Sequence, residues 1–178
     1  MKRLITWILI CVPLVLLITK IFFVGNYRIP QNGMYPGLPA GSRVFALKRA
    51  YSDASKVKHG DIVIFIREEN DQQYNYIWRV VGLPGEKIET SGESLAINGR
   101  PVQRQRVREA EGKTIFREQN GDVTYEVAFD ASLVERPPEA SMTVPANHFF
   151  VMGDNRYDAR DSRYFGAIPF SSIVGKKL

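Results

Sequence analysis

The residues best placed by type and spacing to do chemistry lie near the end of the chain. Asp154, Arg156, Asp161 and Arg163 alternate within Met152-Gly153-Asp154-Asn155-Arg156 and Asp161-Ser162-Arg163-Tyr164-Phe165-Gly166. Carboxylates and guanidiniums so spaced can pair into a hydrogen-bonded network that fixes a loop. Two other segments stand out. Ile29-Pro30-Gln31-Asn32-Gly33-Met34-Tyr35-Pro36-Gly37-Leu38 reads as a turn-rich entry into a strand. Tyr76-Ile77-Trp78-Arg79-Val80-Val81-Gly82-Leu83-Pro84-Gly85-Glu86 reads as a strand ending in a tight turn. Taken singly, none of the three specifies an enzyme. His59 and His148 stand far apart with no cysteine or second histidine at ligand spacing, so no metal site is expected. The single cysteine, Cys11, excludes an intramolecular disulfide.

These segments need elements to hold them. The 178 residues suffice for one domain with a core, plus an anchor. From Leu4 to Val24 the chain is apolar, which at 1.5 Å per residue spans roughly 30 Å, the thickness of a hydrocarbon core. Lys20 sits near the far end, where its stem can snorkel, and Pro13 is tolerated in a membrane helix. A cleaved signal peptide has a shorter apolar run and a small-residue site, and neither fits here. Lys2 and Arg3 place the N-terminus in the cytoplasm.

Beyond the anchor, helical periodicity gives way to short β-rich runs. Strands are expected at Arg43–Leu47, Asp61–Arg67, Tyr74–Val81 and His148–Met152, with hairpins at Asn98-Gly99 and Asn120-Gly121. Residues 99–145 are more charged and proline-punctuated. They read either as an inserted β-subdomain or as a solvated loop region. The net charge of +5 reads as a basic surface or as a preference for anionic headgroups. No zinc spacing, helix-turn-helix pattern or basic-aromatic interleaving suggests nucleic acid.

In this order, the anchor and the motifs I-P-x-x-x-M-x-P-x-L, R-V-V-G-L-P-G-[DE] and G-D-N-R-x-x-x-x-D-S-R-x-x-G resemble bacterial signal peptidase I across essentially the whole chain. That family comprises membrane-anchored serine endopeptidases that remove signal peptides. The resemblance implies a mainly β fold, with an antiparallel sheet or barrel core, a β insertion and one N-terminal transmembrane helix. It also implies a Ser-Lys dyad in a cleft near the membrane. In the family a serine precedes the Met-x-Pro, and a desolvated, neutral lysine precedes the Arg-Val-Val-Gly. A hydroxyl two residues before the serine aids the oxyanion, and a serine two residues before the last Asp orients the lysine.

This sequence departs at each place. The nucleophile position is Gly33, the base position Trp78, the oxyanion position Gln31 and the lysine-orienting position Ala159. The frame persists in Pro30, Met34, Pro36, Arg79, Gly82, Pro84, Gly85, Gly153, Asp154, Asn155, Arg156, Asp161, Ser162, Arg163 and Gly166. Glycine cannot be acylated, and an indole N–H only donates. By resemblance, Tyr27 and Ile29 on one side and Tyr76 and Ile77 on the other flank an extended peptide; by type they equally suit a core or an interfacial belt.

The expectation is a non-catalytic homologue binding signal-peptide-like or pilin-like segments, or a partner of the secretion or pilus-assembly type. It would sit in the bacterial cell membrane as a single-pass protein with an extracytoplasmic domain, and would use no cofactor, metal or nucleic acid. The alternatives are a peptidase with a relocated nucleophile, drawing on Ser42, Ser162, Lys48 or Lys87, and a structural subunit of a membrane assembly.

Overall fold

Valine, isoleucine and aromatic residues dominate the strand-forming runs, and residues that tolerate a left-handed backbone mark where they fold back. The computed structural model describes residues 11–13, 23–133 and 135–178. Its strands are β1 (Val24–Arg28), β2 (Arg43–Lys48), β3 (Ile62–Glu69), β4 (Gln72–Gly82), β5 (Lys87–Ser91), β6 (Ser94–Ile97) and β7 (Arg100–Pro101). There follow β8 (Gln103–Ala110), β9 (Lys113–Asn120), β10 (Val123–Phe129), β11 (Ala140–Thr143), β12 (His148–Met152), β13 (Ile168–Pro169) and β14 (Ile173–Lys177). A one-turn helix, Ser162–Phe165, precedes β13.

The fold is mainly β. Seven strands form an antiparallel sheet in the order β1-β2-β14-β3-β4-β12-β13, open at its two edges. A four-stranded sheet runs β11-β5-β6-β7, and a three-stranded one β10-β9-β8. Residues 99–145 therefore supply strands to both smaller sheets. In the apolar run expected to anchor the chain, residues 4–10 and 14–22 lie outside the described residues. Residues 11–13 and 23 are helical, and Val24, at the expected end of the run, opens β1 opposite Leu47. Among the described residues no helix is long and apolar enough to cross a membrane.

The adjacent strands β4 and β12 form the wall between two cores. Alternation sends Trp78 and Val80 of β4, with Phe149 and Val151 of β12, into one cluster with Ile29, Met34, Leu38, Val63 and Phe65. Val81, Phe150 and Met152 point the other way, onto Ile88, Leu95 and Val144 beneath the four-stranded sheet. Val63, Ile64 and Phe65 of β3 are wholly buried, which explains why this run lacks polar alternation.

The β6–β7 hairpin turns at Asn98-Gly99, both left-handed, as the sequence suggests. The second hairpin differs by one residue. Asn120 pairs with Val123, so the turn is Gly121-Asp122. Asn120 is drawn into the ladder because its buried side chain donates to the Val81 carbonyl at 2.9 Å, tying the three-stranded sheet to β4. A hairpin not expected from sequence joins β3 and β4 at Asn70-Asp71, both left-handed without glycine.

Candidate functional site

The loop before β2 is shaped by its own backbone. Tyr35 N donates to the Asn32 carbonyl and Leu38 N to the Met34 carbonyl, while Asn32 Oδ1 accepts from Ala40 N at 2.8 Å. The folded loop drives Met34 and Leu38 into the Trp78 core cluster. Pro36 follows through a cis peptide bond. Gly33 is left at the apex, where its carbonyl accepts from Asn155 N at 3.0 Å.

Gly33, Trp78, Gly153 and Ala159 meet at this point. A β-carbon on Gly33 would lie 2.4 Å from Trp78 Cη2 and 2.7 Å from Cζ3, closer than non-bonded carbons approach. A β-carbon on Gly153 would lie 2.3 Å from that of Ala159, 2.6 Å from the Gly33 carbonyl oxygen and 3.0 Å from Trp78 Cζ3. Neither glycine has a left-handed backbone, so space rather than conformation requires them. The indole of Trp78 thus occupies the volume that a side chain at position 33 would need. Trp78 is 8% exposed, and its buried Nε1 has no hydrogen-bond partner among the described residues.

Gln31 is exposed and lines a groove of about 570 Å³ with Tyr157, Ala159, Arg160 and Tyr164. Ile29, Tyr76 and Ile77 belong to the Trp78 cluster, with Tyr76 stacked on Phe65 at 5.6 Å between ring centroids. Tyr27 is elsewhere, its ring folded back over Gly25 of the same strand. β12 pairs with β4 only from Arg79 onward. Among the described residues, the β4 edge from Gln72 to Trp78 therefore has no strand opposite β3.

The aspartates and arginines form the frame behind this contact. Arg79 grips Asp154 with two hydrogen bonds of 2.8 and 2.6 Å, donates to the Gly60 carbonyl and lies 4.2 Å over the Tyr125 ring. Asp161 accepts from Gly153 N at 2.9 Å, caps the helix at Arg163 N, and binds the Arg163 guanidinium twice. Ser162 Oγ accepts from Val151 N. Arg156, 2% exposed, makes a two-pronged pair with fully buried Glu118 of β9, which also receives Arg104. Parallel bonding of Ala128 to the 154–156 backbone completes the attachment of the three-stranded sheet.

Burial pushes the Asp154 carboxyl above its usual range, with Arg79 pulling against it. Burial also works to raise Glu118, but the guanidiniums of Arg156 and Arg104 together outweigh it and hold that carboxyl below its ordinary value. Glu118 is the frame residue that sequence reasoning missed. Its signal was the alternation Phe116, Glu118, Asn120 on the inner face of β9, two polar residues where a core face is expected.

A family model described as "Signal peptidase, peptidase S26" matches residues 1–178. The chain belongs to the signal peptidase S26 family. Among its relatives, signal peptidase I of Pseudomonas fluorescens is 33% identical, the match covering 91% of this chain and 66% of that protein. Signal peptidase I of Bacillus caldolyticus is 31% identical over 88% of this chain and 79% of its own length. Signal peptidase IB of Staphylococcus aureus is 33% identical over 98% and 87%. The chain spans about two thirds of the length of the Pseudomonas relative. A crystal structure of a signal peptidase I from Enterococcus faecalis superposes with a TM-score of 0.41 at 29% identity, over 68% of this chain and 96% of that one, a likeness too loose to carry an argument.

Breaking the buried pair at Glu118 tests the frame. Glu118→Gln leaves Arg156 charged and unmatched, and is expected to cost about 3–5 kcal/mol in chemical unfolding at neutral pH. Because the folded-state value of Glu118 lies below the unfolded one, its contribution is complete above the ordinary value of 4.5 and is lost as pH falls through the folded value. The gap between wild type and variant should therefore close on acidification.

Proposed function

We propose that this chain is a non-catalytic member of the signal peptidase family that binds extended signal-peptide-like or pilin-like segments, or a secretion or assembly partner, without cutting them. The observation that carries the reading is the contact of Trp78 with Gly33. The family's nucleophile position has no side chain, and the volume beside it is filled by an indole that cannot take a proton from a hydroxyl. Where nucleophile and base act as a unit, loss of either lowers turnover by about 10⁶. Losing both leaves only the scaffold. Three of the four candidates for relocated chemistry are engaged elsewhere. Ser162 Oγ is engaged with Val151 N, Ser42 Oγ donates to the Pro39 carbonyl, and Lys87 is paired with Glu89.

Binding has a physical basis in the open edge of β4. A peptide laid along Gln72 to Trp78 would gain main-chain hydrogen bonds there, with Tyr76 and Ile77 beside it. The apolar run ahead of β1 forms a single-pass anchor in this reading, with the N-terminus cytoplasmic and the β domain outside the bacterial cell membrane. The experiment is incubation of the purified full-length protein with a signal-bearing pre-protein. The expected result is that the pre-protein is retained and recovered uncut. Cleavage at its A-x-A site that survives removal of contaminating peptidase, or failure to retain it at all, would overturn the reading.

A further inference from the structure

We propose that the groove beside Ala159 holds the downstream part of the bound peptide, the part that a cutting enzyme would release, and that it selects a lysine or arginine there. This rests on the reading of the chain as a non-catalytic peptide binder.

The sheet itself ends the extended path. β12 takes the β4 edge from Arg79 onward, so a peptide running parallel to β4 along Gln72 to Trp78 must leave the sheet at Trp78. The segment that follows β12 meets the Gly33 loop there. Its Asp158 carbonyl would lie 3.5 Å from a β-carbon on Gly33, and Ala159 belongs to the Trp78 core cluster. Ala159 and Asp158 also line the groove of about 570 Å³, which therefore adjoins the point where the open edge stops.

The lining favours a cation. Leu133 and Glu135 reach the groove from the segment after β10. Arg136 folds that segment by donating to the carbonyls of Asp130, Ala131 and Leu133, and it stacks on Tyr157 at 4.1 Å. The Tyr157 hydroxyl bonds to Glu93, so Arg136 and Glu93 offset each other on that ring. Glu135 has no hydrogen-bond or ion-pair partner among the described residues, and Asp158 has only the Asn155 amide at 3.3 Å. Arg160 lines the same groove and pairs with neither. Two uncommitted carboxylates against one guanidinium leave an acidic excess, and the rings of Tyr157 and Tyr164 can hold a cation over their faces. The occupant is therefore a segment whose apolar part lies along β4 and whose basic side chain follows just downstream. An acidic tail would meet Arg160 with two carboxylates beside it.

The test titrates the full chain in neutral detergent with fluorescent peptides. All share one apolar, signal-like sequence. Three continue into a short polar tail that carries lysine, glutamine or glutamate, and a fourth stops where the tail would begin. The lysine tail should bind several-fold more tightly than the glutamate tail, with glutamine between them, and the difference should fade at high salt. Glu135→Lys should reverse the order of the lysine and glutamate tails. Equal affinity for all four peptides overturns the inference. So does tighter binding of the glutamate tail by the parent, or a lysine preference that both Glu135→Lys and Asp158→Asn leave intact, since the cation would then sit elsewhere. In each of those cases uncut binding of the tail-less peptide preserves the broader reading. Retention of none of the peptides refutes both.

Discussion

Two missing β-carbons, at Gly33 and Gly153, let three segments of this protein close on one another. The apex of the 29–38 loop, the indole of Trp78 and the end of β12 approach to distances that a methyl group at either glycine would forbid. Met34 and Leu38 are inserted from the loop, Trp78 and Val80 from β4, and Val151 from β12, so the closure is continuous with the larger core. Anything that widened this contact would also disturb the packing that orders the loop. Fold and site therefore share one constraint: steric exclusion among Gly33, Trp78, Gly153 and Ala159.

The buried charges hold the backbone that presents this contact. Gly153 N is fixed by Asp161, the Gly153 carbonyl by Arg156 Nε, and Asn155 N by the Gly33 carbonyl. Asp154 faces Arg79 of β4 and Arg156 faces Glu118 of β9, so one short stretch after β12 is bound to two sheets. Such pairs are costly to desolvate and are weak sources of net stability, but they define geometry, because leaving one partner unmatched is heavily penalised. The frame residues are therefore demanded by the fold itself.

Much of this was legible in the sequence because the signals were local. The apolar run of β3 and the Asn98-Gly99 turn are read from neighbouring residues. The grouping of Asp154, Arg156, Asp161 and Arg163 follows from their spacing; Asp161 pairs within it with Arg163, while Asp154 and Arg156 take the distant partners Arg79 and Glu118. What could not be read depends on distant partners. Asn120 leaves the expected turn because Val81, far along the chain, takes its side chain. Glu118 looks like one more surface charge until Arg156 and Arg104 converge on it. Tyr27 keeps its place in the motif, yet its ring folds back over Gly25 and does not join Ile29, Tyr76 and Ile77 in the Trp78 cluster, because backbone path rather than residue type decides which side chains meet.

The account stands on the indole of Trp78 occupying the space beside Gly33, and a double-mutant cycle measures that occupancy directly. In chemical unfolding of the full chain in detergent, Gly33→Ala should cost about 1–3 kcal/mol in the parent, as an added methyl does in a filled core. In a Trp78→Leu background, which removes the atoms nearest that methyl, the same change should cost little, giving a coupling of about 1 kcal/mol or more. Equal costs of Gly33→Ala in both backgrounds would contradict the account.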